Sequence, residues 1–374
     1  MRGHIRKRGN KWCAVVDIGK DPQTGKRKQK WLSGFNSPDE AERALVEFLA
    51  KLYNGQYADP HNMTVEAYLK KWLEDYAKIK VAKTTFATYE DAAKNIIQYL
   101  GSVKLEQLKP MHIQGYISRM LEEGSSVRAV RYNYAILRAA LNTAVKWQLI
   151  SANPCNAVTP PSKVKTKMHT LDKQQVDTLI EGARNTPLFI PILLAVTCGL
   201  RRGEILGLKW DNVNLRNNII NVTQTRVRVP SGEEIIEKEP KSSHSIRTIA
   251  IPEMTAKALK EEWKRQAQNK LALGEKYNNQ NYVVCWDDGT PYAPDYITKA
   301  FKKLLKKLNL PDIRFHDLRH THATLLLEEG IHPKVVQERL GHSSITLTLD
   351  VYSHVLPNLQ QEAAQKIDEI LKEK

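Results

Sequence analysis

Residues Thr197–Trp210 read TCGLRRGEILGLKW, and the rest of the chain can be understood outward from them. The apolar run just before them, Leu188 to Val196, is far shorter than the roughly 20 residues a membrane-spanning helix needs. It predicts a buried core helix. Arg201 then follows Gly199 and Leu200 at the mouth of another helix, where the positive end of the helix dipole adds to its own charge. Glu204, three residues on, is spaced to hold that guanidinium in an ion pair.

Further cationic and hydroxyl-bearing residues gather toward the C-terminus. They are Lys241 in EPKSSHSIRTIAIP, His316 and Arg319 in HDLRHTHAT, His342 in LGHSS and Tyr352 in DVYSH. His316 and Arg319 share a helix face at i, i+3. Lys241 precedes a Ser-rich turn from which its long side chain can reach outward, and Tyr352 lies ten residues after His342. These residue types together suit one task. A phosphodiester repels nucleophiles, so catalysis needs Arg, Lys and His donors on the non-bridging oxygens. A proton must leave the nucleophile and another must reach the leaving oxygen. A phenol with an ordinary pKa of about 10 attacks only where positive charge favours the phenolate. The covalent ester it forms stores the bond energy for a second step. No metal and no cofactor is required by that chemistry. HDLRH also admits a zinc-site reading, as an HExxH with His316 and His320 as ligands. Against it, Asp317 is too short for the glutamate base, and Arg319 on the same face repels a dication.

The composition fits an anionic substrate. At 374 residues the chain has room for two or three cores, and its net charge of +16 points to a polyanion, nucleic acid first. Basic residues are spread along the whole length with no cluster beside an apolar span, which argues against a membrane surface. Cys13, Cys155, Cys198 and Cys285 form no CxxC pair, so reduced thiols in a cytoplasmic protein are expected. No apolar run of signal-peptide length follows the basic start.

Residues 1–57 read as a small β-then-α module, with strands at Trp12–Ile18 and Arg27–Ser33 around a DPQTG turn. A helix follows, with Ser37 as N-cap, Pro38 at its first position and Glu40 completing a capping box. Residues 1–30 hold ten Lys/Arg against Asp17 and Asp21, which makes the module a candidate DNA contact. Its candidate contacts are Arg6, Lys7, Arg8, Lys26, Arg27, Lys28 and Lys30.

Residues 60–155 are helical by pattern. Val65, Tyr68, Leu69, Trp72, Leu73 and Tyr76 form one apolar stripe behind Thr64 as N-cap, and further helices are expected over 84–99, 110–124 and 126–147. Lys83, Thr84, Arg128 and Arg131 lie at or near helix starts, where phosphates can be met. Residues 156–170 form a Pro- and Lys-rich linker whose candidate contacts are Lys163, Lys165 and Lys167.

Residues 171–374 read as a mixed, mostly helical domain. It has a capping box at Asp172 and Gln175, and strands at Ile219–Thr223, Thr225–Val229 and Arg247–Ile251. Helices are expected near 253–270, 294–308 and 316–329, the second turning Phe301, Leu304, Leu305 and Leu308 inward and its lysines outward.

The motifs together resemble the tyrosine recombinase, or phage-type integrase, family. TCGLRRGEILGLKW is similar to the family's first arginine box, HDLRHTHAT to its HxxR box, LGHSS to its third box and VYSH to its nucleophile segment. The resemblance implies that Tyr352 is the nucleophile and Arg201 the first catalytic arginine, with Glu204 supporting it. It makes His316, Arg319 and His342 further catalytic residues, and Lys241 the general acid, with Lys238, just ahead of that segment, as the alternative lysine. The implied fold is a mixed α+β, multidomain one. It comprises a three-stranded arm-type DNA-binding domain, an all-α four-helix core-binding domain, and a mainly α catalytic domain with a small antiparallel sheet. It implies a homotetramer on double-stranded DNA, engaging core and arm-type sites and joining strands through a 3′-phosphotyrosine, with an excisionase or DNA-bending protein as a further partner. The tail 357–374 is a candidate for packing on a neighbouring protomer. A type IB topoisomerase and a non-catalytic DNA-binding regulator stay open as alternatives.

Overall fold

The computed structural model describes residues 3–20, 27–53, 63–163, 169–230, 235–238, 246–346, 349 and 359–372. Lys26, Lys165, Lys167, Lys241 and Tyr352 lie outside the described residues. The chain divides into two compact units, Met1–Val81 with Tyr89–Lys163, and Ala82–Thr88 with Val164–Lys374. Among the described residues no helix is long and apolar enough to cross a membrane.

In the first unit, strands β1 (Gly3–Arg8), β2 (Lys11–Lys20) and β3 (Arg27–Phe35) form an antiparallel sheet in the order β1-β2-β3. Helix α1 (Pro38–Tyr53) follows. Ala14, Val16 and Leu45 make the small core there, with Ile5, Leu32, Phe48 and Leu49 against it. β1 was not legible as a strand because its polar alternation, GHIRKR, contains one large apolar residue. The register puts Arg6 opposite Cys13, and Cys13 opposite Ser33. His4, Arg6 and Arg8 therefore share the face turned away from Ile5 and the α1 core. The capping box of α1 differs from expectation in one bond. Ser37 Oγ accepts the Glu40 N–H at 3.2 Å, but the Glu40 carboxylate takes the N–H of Asn36 at 2.9 Å, one residue earlier.

The helical part holds α2 (Val65–Trp72), α3 (Lys78–Lys80), α4 (Lys83–Leu100), α5 (Pro110–Glu122) and α6 (Val127–Lys146). Thr64 caps α2 as expected, its hydroxyl accepting the Ala67 N–H. The single stripe does not run on. A π turn over Leu73–Ala77 joins α2 to α3 and inserts one residue into the helical phase, so Ala77 is buried while Tyr76 is only half-buried. Tyr68 donates from its hydroxyl to Ala140 O at 2.5 Å, and Tyr134 donates to Cys155 O and Val158 O, tying α6 to neighbouring segments.

The second unit is built around α8 (Phe189–Cys198), in which Ile192, Leu193, Leu194 and Ala195 are at most 1% exposed. Burying each large aliphatic side chain contributes about 1.5–3 kcal/mol, so this run anchors everything packed on it. Around it lie α7 (Lys173–Ala183), capped by the Asp172–Gln175 box, and α9 (Arg202–Gly207). Farther along come α10 (Glu253–Leu273), α11 (Pro294–Lys307), α12 (Asp317–Glu328) and α13 (Pro333–Leu340). Strands β4 (Val213–Asn214), β5 (Ile219–Val222) and β8 (Arg247–Ala250) pair antiparallel in that order. Strands β6 (Thr225–Arg228) and β7 (Ile235–Lys238) form a separate ribbon. Ile220 opposes Ile249, and both are buried. On α11, Phe301, Leu304 and Leu305 are buried and Lys299, Lys302, Lys303, Lys306 and Lys307 are exposed. Helix α14 (Leu359–Lys372) leaves Ile367, Ile370 and Leu371 exposed. The four cysteines are buried and free.

Candidate active site

The site assembles at the carboxyl end of α13. A helix ends with four carbonyls that have no intrahelical partner and carry partial negative charge. Here Gly341 adopts a left-handed φ of 63° and turns the chain, so that its own N–H and that of His342 take the carbonyls of Glu338 and Gln337. The next three carbonyls each meet a guanidinium from a different element. Arg247 of β8 donates Nε to Arg339 O at 2.7 Å. Arg319 of α12 donates Nη2 to Leu340 O. Arg201, ahead of α9, donates Nη2 to Gly341 O at 3.3 Å. His342 follows directly, its carbonyl accepting from Gln337 Nε2 at 2.7 Å.

The loop bearing Arg201 is held as tightly. Gly199 ends α8 at φ 64°, and a Cβ there would lie 2.6 Å from His322 and 2.8 Å from Leu340. Only glycine fits that close approach. Arg319 Nη1 donates to Gly199 O at 2.7 Å, so the buried second arginine pins the turn that presents the first. Glu204 accepts the Arg201 backbone N–H at 2.8 Å and Arg201 Nη1 at 2.7 Å. The helix-end potential expected to reinforce Arg201 is thus occupied by Glu204. About a third of the Arg201 side chain stays exposed.

Glu204 also receives both Nη groups of Arg247, at 3.1 and 2.9 Å. Burial pushes the Glu204 pKa up, but the hydrogen bonds and charge of Arg247, then the charges of Arg201 and Arg319, bring it down to about 2. The imidazoles shift the other way from their usual value. Desolvation, then His320 and the nearby guanidiniums, lowers His316 to about 4, although its outer edge is exposed. Desolvation, then Arg319 and Arg201, lowers His342 to about 3. Both rings are therefore neutral at pH 7, each with one nitrogen donating and one accepting. His316 and His320 meet edge to face, with centroids 5.4 Å apart. Among the described residues no group of three or more His, Cys, Asp or Glu is arranged to hold a metal ion.

The structure therefore brings together Arg201, Glu204, Arg319 and His342, with His316 in their electrostatic field. The calls on Lys241 and Tyr352 fall outside the described residues. Sequence reasoning missed Arg247, Arg339 and Gln337. Arg339 donates to Ala250 O at 3.2 Å and Thr197 O at 3.3 Å, bracing α13 against β8 and α8. The one sequence signal for Arg247 is a cation opening a strand whose third residue, Ile249, is core. A cleft of about 600 Å³ lined by Arg265, Trp286 and Tyr292 contains none of these residues.

The other candidate contacts are dispersed. Arg6, Lys7 and Arg8 are exposed on β1, with Lys7 Nζ 6.0 Å from the Trp12 ring centroid. Arg27 pairs with Asp17 at 2.6 Å, Lys30 is half-buried, and Lys28 lies in β3. Lys83 and Thr84 open α4, and Arg128 is exposed in the first turn of α6. Arg131 donates to Pro161 O, and Lys163 is exposed.

Comparison with known proteins bears on the whole chain. Residues 169–358 match the phage integrase family, 64–121 the N-terminal SAM-like domain of phage integrases, and 4–52 an arm DNA-binding domain. A XerC-like tyrosine recombinase of Caldanaerobacter subterraneus subsp. tengcongensis is 31% identical over 383 residues, covering 97% of both chains. The ICEBs1 integrase of Bacillus subtilis is 30% identical over 282 residues, covering 74% of this chain and 75% of its own. In fold, the Tn1549 transposon integrase, solved with a circular-intermediate DNA, superposes with a TM-score of 0.71 at 23% identity, covering 82% of this chain and all of that one. A lambda integrase dimer on a core site gives 0.59 at 18% identity over 93% and 94%.

Proposed function

The chain belongs to the phage integrase family, and on that premise we propose that it is a site-specific DNA recombinase working through a covalent 3′-phosphotyrosine. The observation that carries the reading is the gathering of Arg201, Arg319 and His342 at the end of α13. In the proposed step the Tyr352 oxygen attacks the scissile phosphorus. The new O–P bond forms as the P–O5′ bond breaks. The phenolic proton passes to His316, whose neutral ring at pH 7 has a nitrogen free to accept it. Lys241 protonates the departing 5′ oxygen. Arg201, Arg319 and His342 hold the non-bridging oxygens, where charge builds. Attack by a 5′-hydroxyl of the partner strand reverses these bond changes and rejoins the DNA.

The same premise assigns residues 1–57 to arm-type sites, 60–155 to the core site, 156–170 to a linker and 171–374 to catalysis. The arm-domain match at residues 4–52 and the outward Arg6 and Arg8 support the first of these, and favour recombination between paired sites over simple strand relaxation. A homotetramer on two DNA sites is the proposed working form. A lambda integrase tetramer bound to a Holliday junction, similar in fold at a TM-score of 0.58, supports it. The exposed Ile367, Ile370 and Leu371 of α14 suit packing on a neighbouring protomer. An excisionase or DNA-bending protein is the proposed accessory partner. The bacterial cytoplasm, where the chromosome lies, is the proposed location.

A nicked suicide substrate, which traps the covalent intermediate by losing the 5′-hydroxyl fragment, tests the reading. The native chain should give a denaturant-stable protein–DNA adduct, and Tyr352→Phe should bind the same DNA and give none. An adduct from Tyr352→Phe would remove Tyr352 from its role.

A further inference from the structure

Arg247 stands outside the motifs, yet with Glu204 it makes the most buried ion pair among the described residues, their side chains 7% and 1% exposed. Both of its Nη groups are committed to Glu204, and its Nε to Arg339 O. Within the cluster, the guanidiniums of Arg201, Arg247 and Arg319 against the one carboxylate of Glu204 leave two positive charges. A phosphodiester carries one negative charge, and its pentacoordinate transition state gathers up to two on the non-bridging oxygens. The two counts match only while Arg247 is present. Without it Glu204 would keep Arg201 as its ion-pair partner and cancel the charge that Arg201 presents.

We propose that Arg247 is a positioning residue that neutralises Glu204, leaving the charge of Arg201 to the scissile phosphate. It also locks strand β8, six residues after Lys241, against the end of α13. The inference deepens the recombinase reading and rests on it. It makes Arg247 matter more in the transition state than in the bound ground state, where one charge fewer must be met.

The experiment measures DNA affinity and adduct formation for the full chain on suicide substrates with either a normal phosphate or a methylphosphonate at the scissile position. Methylphosphonate lacks one charged oxygen. Arg247→Met should bind DNA nearly as the native chain does and cleave the phosphate about a hundredfold more slowly. On methylphosphonate its deficit should shrink to within about tenfold of the native chain, because one less charge must be met. The double variant Arg247→Met with Glu204→Gln restores two net charges without an unpaired buried carboxylate, and should regain at least about tenfold over Arg247→Met. Should the single variant fail to fold, the double variant carries the test by its own cleavage rate against the native chain. Native cleavage by Arg247→Met would overturn the inference. So would equal deficits on both substrates together with no gain in the double variant, the result of a purely structural strut. A native chain forming no adduct on normal phosphate would instead sink the recombinase reading, leaving Arg247 a separate question.

Discussion

Glu204 divides its two oxygens among a backbone N–H and the guanidiniums of Arg201 and Arg247. Its pairing with Arg201 was legible because three residues on a short helical turn bring the groups together whatever surrounds them. Its pairing with Arg247, 43 residues away, was not. His322 shows the same division. Nothing local marks it apart from His320, yet it is buried with Nδ1 2.7 Å from Val196 O, 126 residues away. A carbonyl can only accept, so Nδ1 holds the proton. Burial, then Arg339, lowers its pKa to about 4. Between that value and the 6.5 of an unfolded histidine, the unfolded chain binds more protons than the folded one. His316, His322 and His342 are all depressed, so their contribution is complete above pH 6.5 and is lost as pH falls through it toward 4 and 3. The melting temperature of the DNA-free protein should fall over that window. His322→Asn, whose amide nitrogen stands in for Nδ1, should flatten the slope by about one proton in a thermal-melt series. An unchanged slope would mean that His322 is not the group titrating.

At the scale of elements, helix bounds and caps were legible, and the partners of a helix's last carbonyls were not. Thr64, Ser126 and Asp172 each cap the helix their sequence position announces, because a cap is a bond between residues three apart. The end of α13 could not be read that way, since its last carbonyls are met by arginines from β8, α12 and the turn before α9. The π turn at Leu73–Ala77 escaped for a related reason: an apolar stripe looks continuous until packing chooses which residue goes inward. Gln337, buried and bonded to His342 O, is the element's own brace on the turn. Gln337→Ala should cost about 1–2 kcal/mol of stability, since the side chain's hydrogen bonds to His342 O and from Lys334 Nζ are both lost. Adduct formation should slow about tenfold with DNA affinity unchanged, since the loss falls on the donor array rather than on the grip. Chemical denaturation and the suicide-substrate assay measure the two effects, and unimpaired cleavage would show that the turn holds without Gln337.

For the whole molecule, a net charge of +16 makes salt the natural probe of how DNA is held. Each phosphate contact adds about 0.9 to the fall of log affinity with log salt. Deleting residues 1–57 should flatten that dependence on DNA carrying both core and flanking sites and leave it unchanged on core DNA alone. Filter binding across a salt series decides it, and equal flattening on both DNAs would refute the arm-site assignment. The amino-acid sequence alone determined the β-then-α start, the helical middle, the buried α8 and the motifs of the family, all carried by neighbours within a few residues. The tertiary structure alone decided that three arginines meet three successive carbonyls of one helix end, and that Arg247 shares Glu204 with Arg201. Those bonds join segments 21 to 140 residues apart, and a contact set by how α8, β8, α12 and α13 pack leaves no periodic trace in the chain.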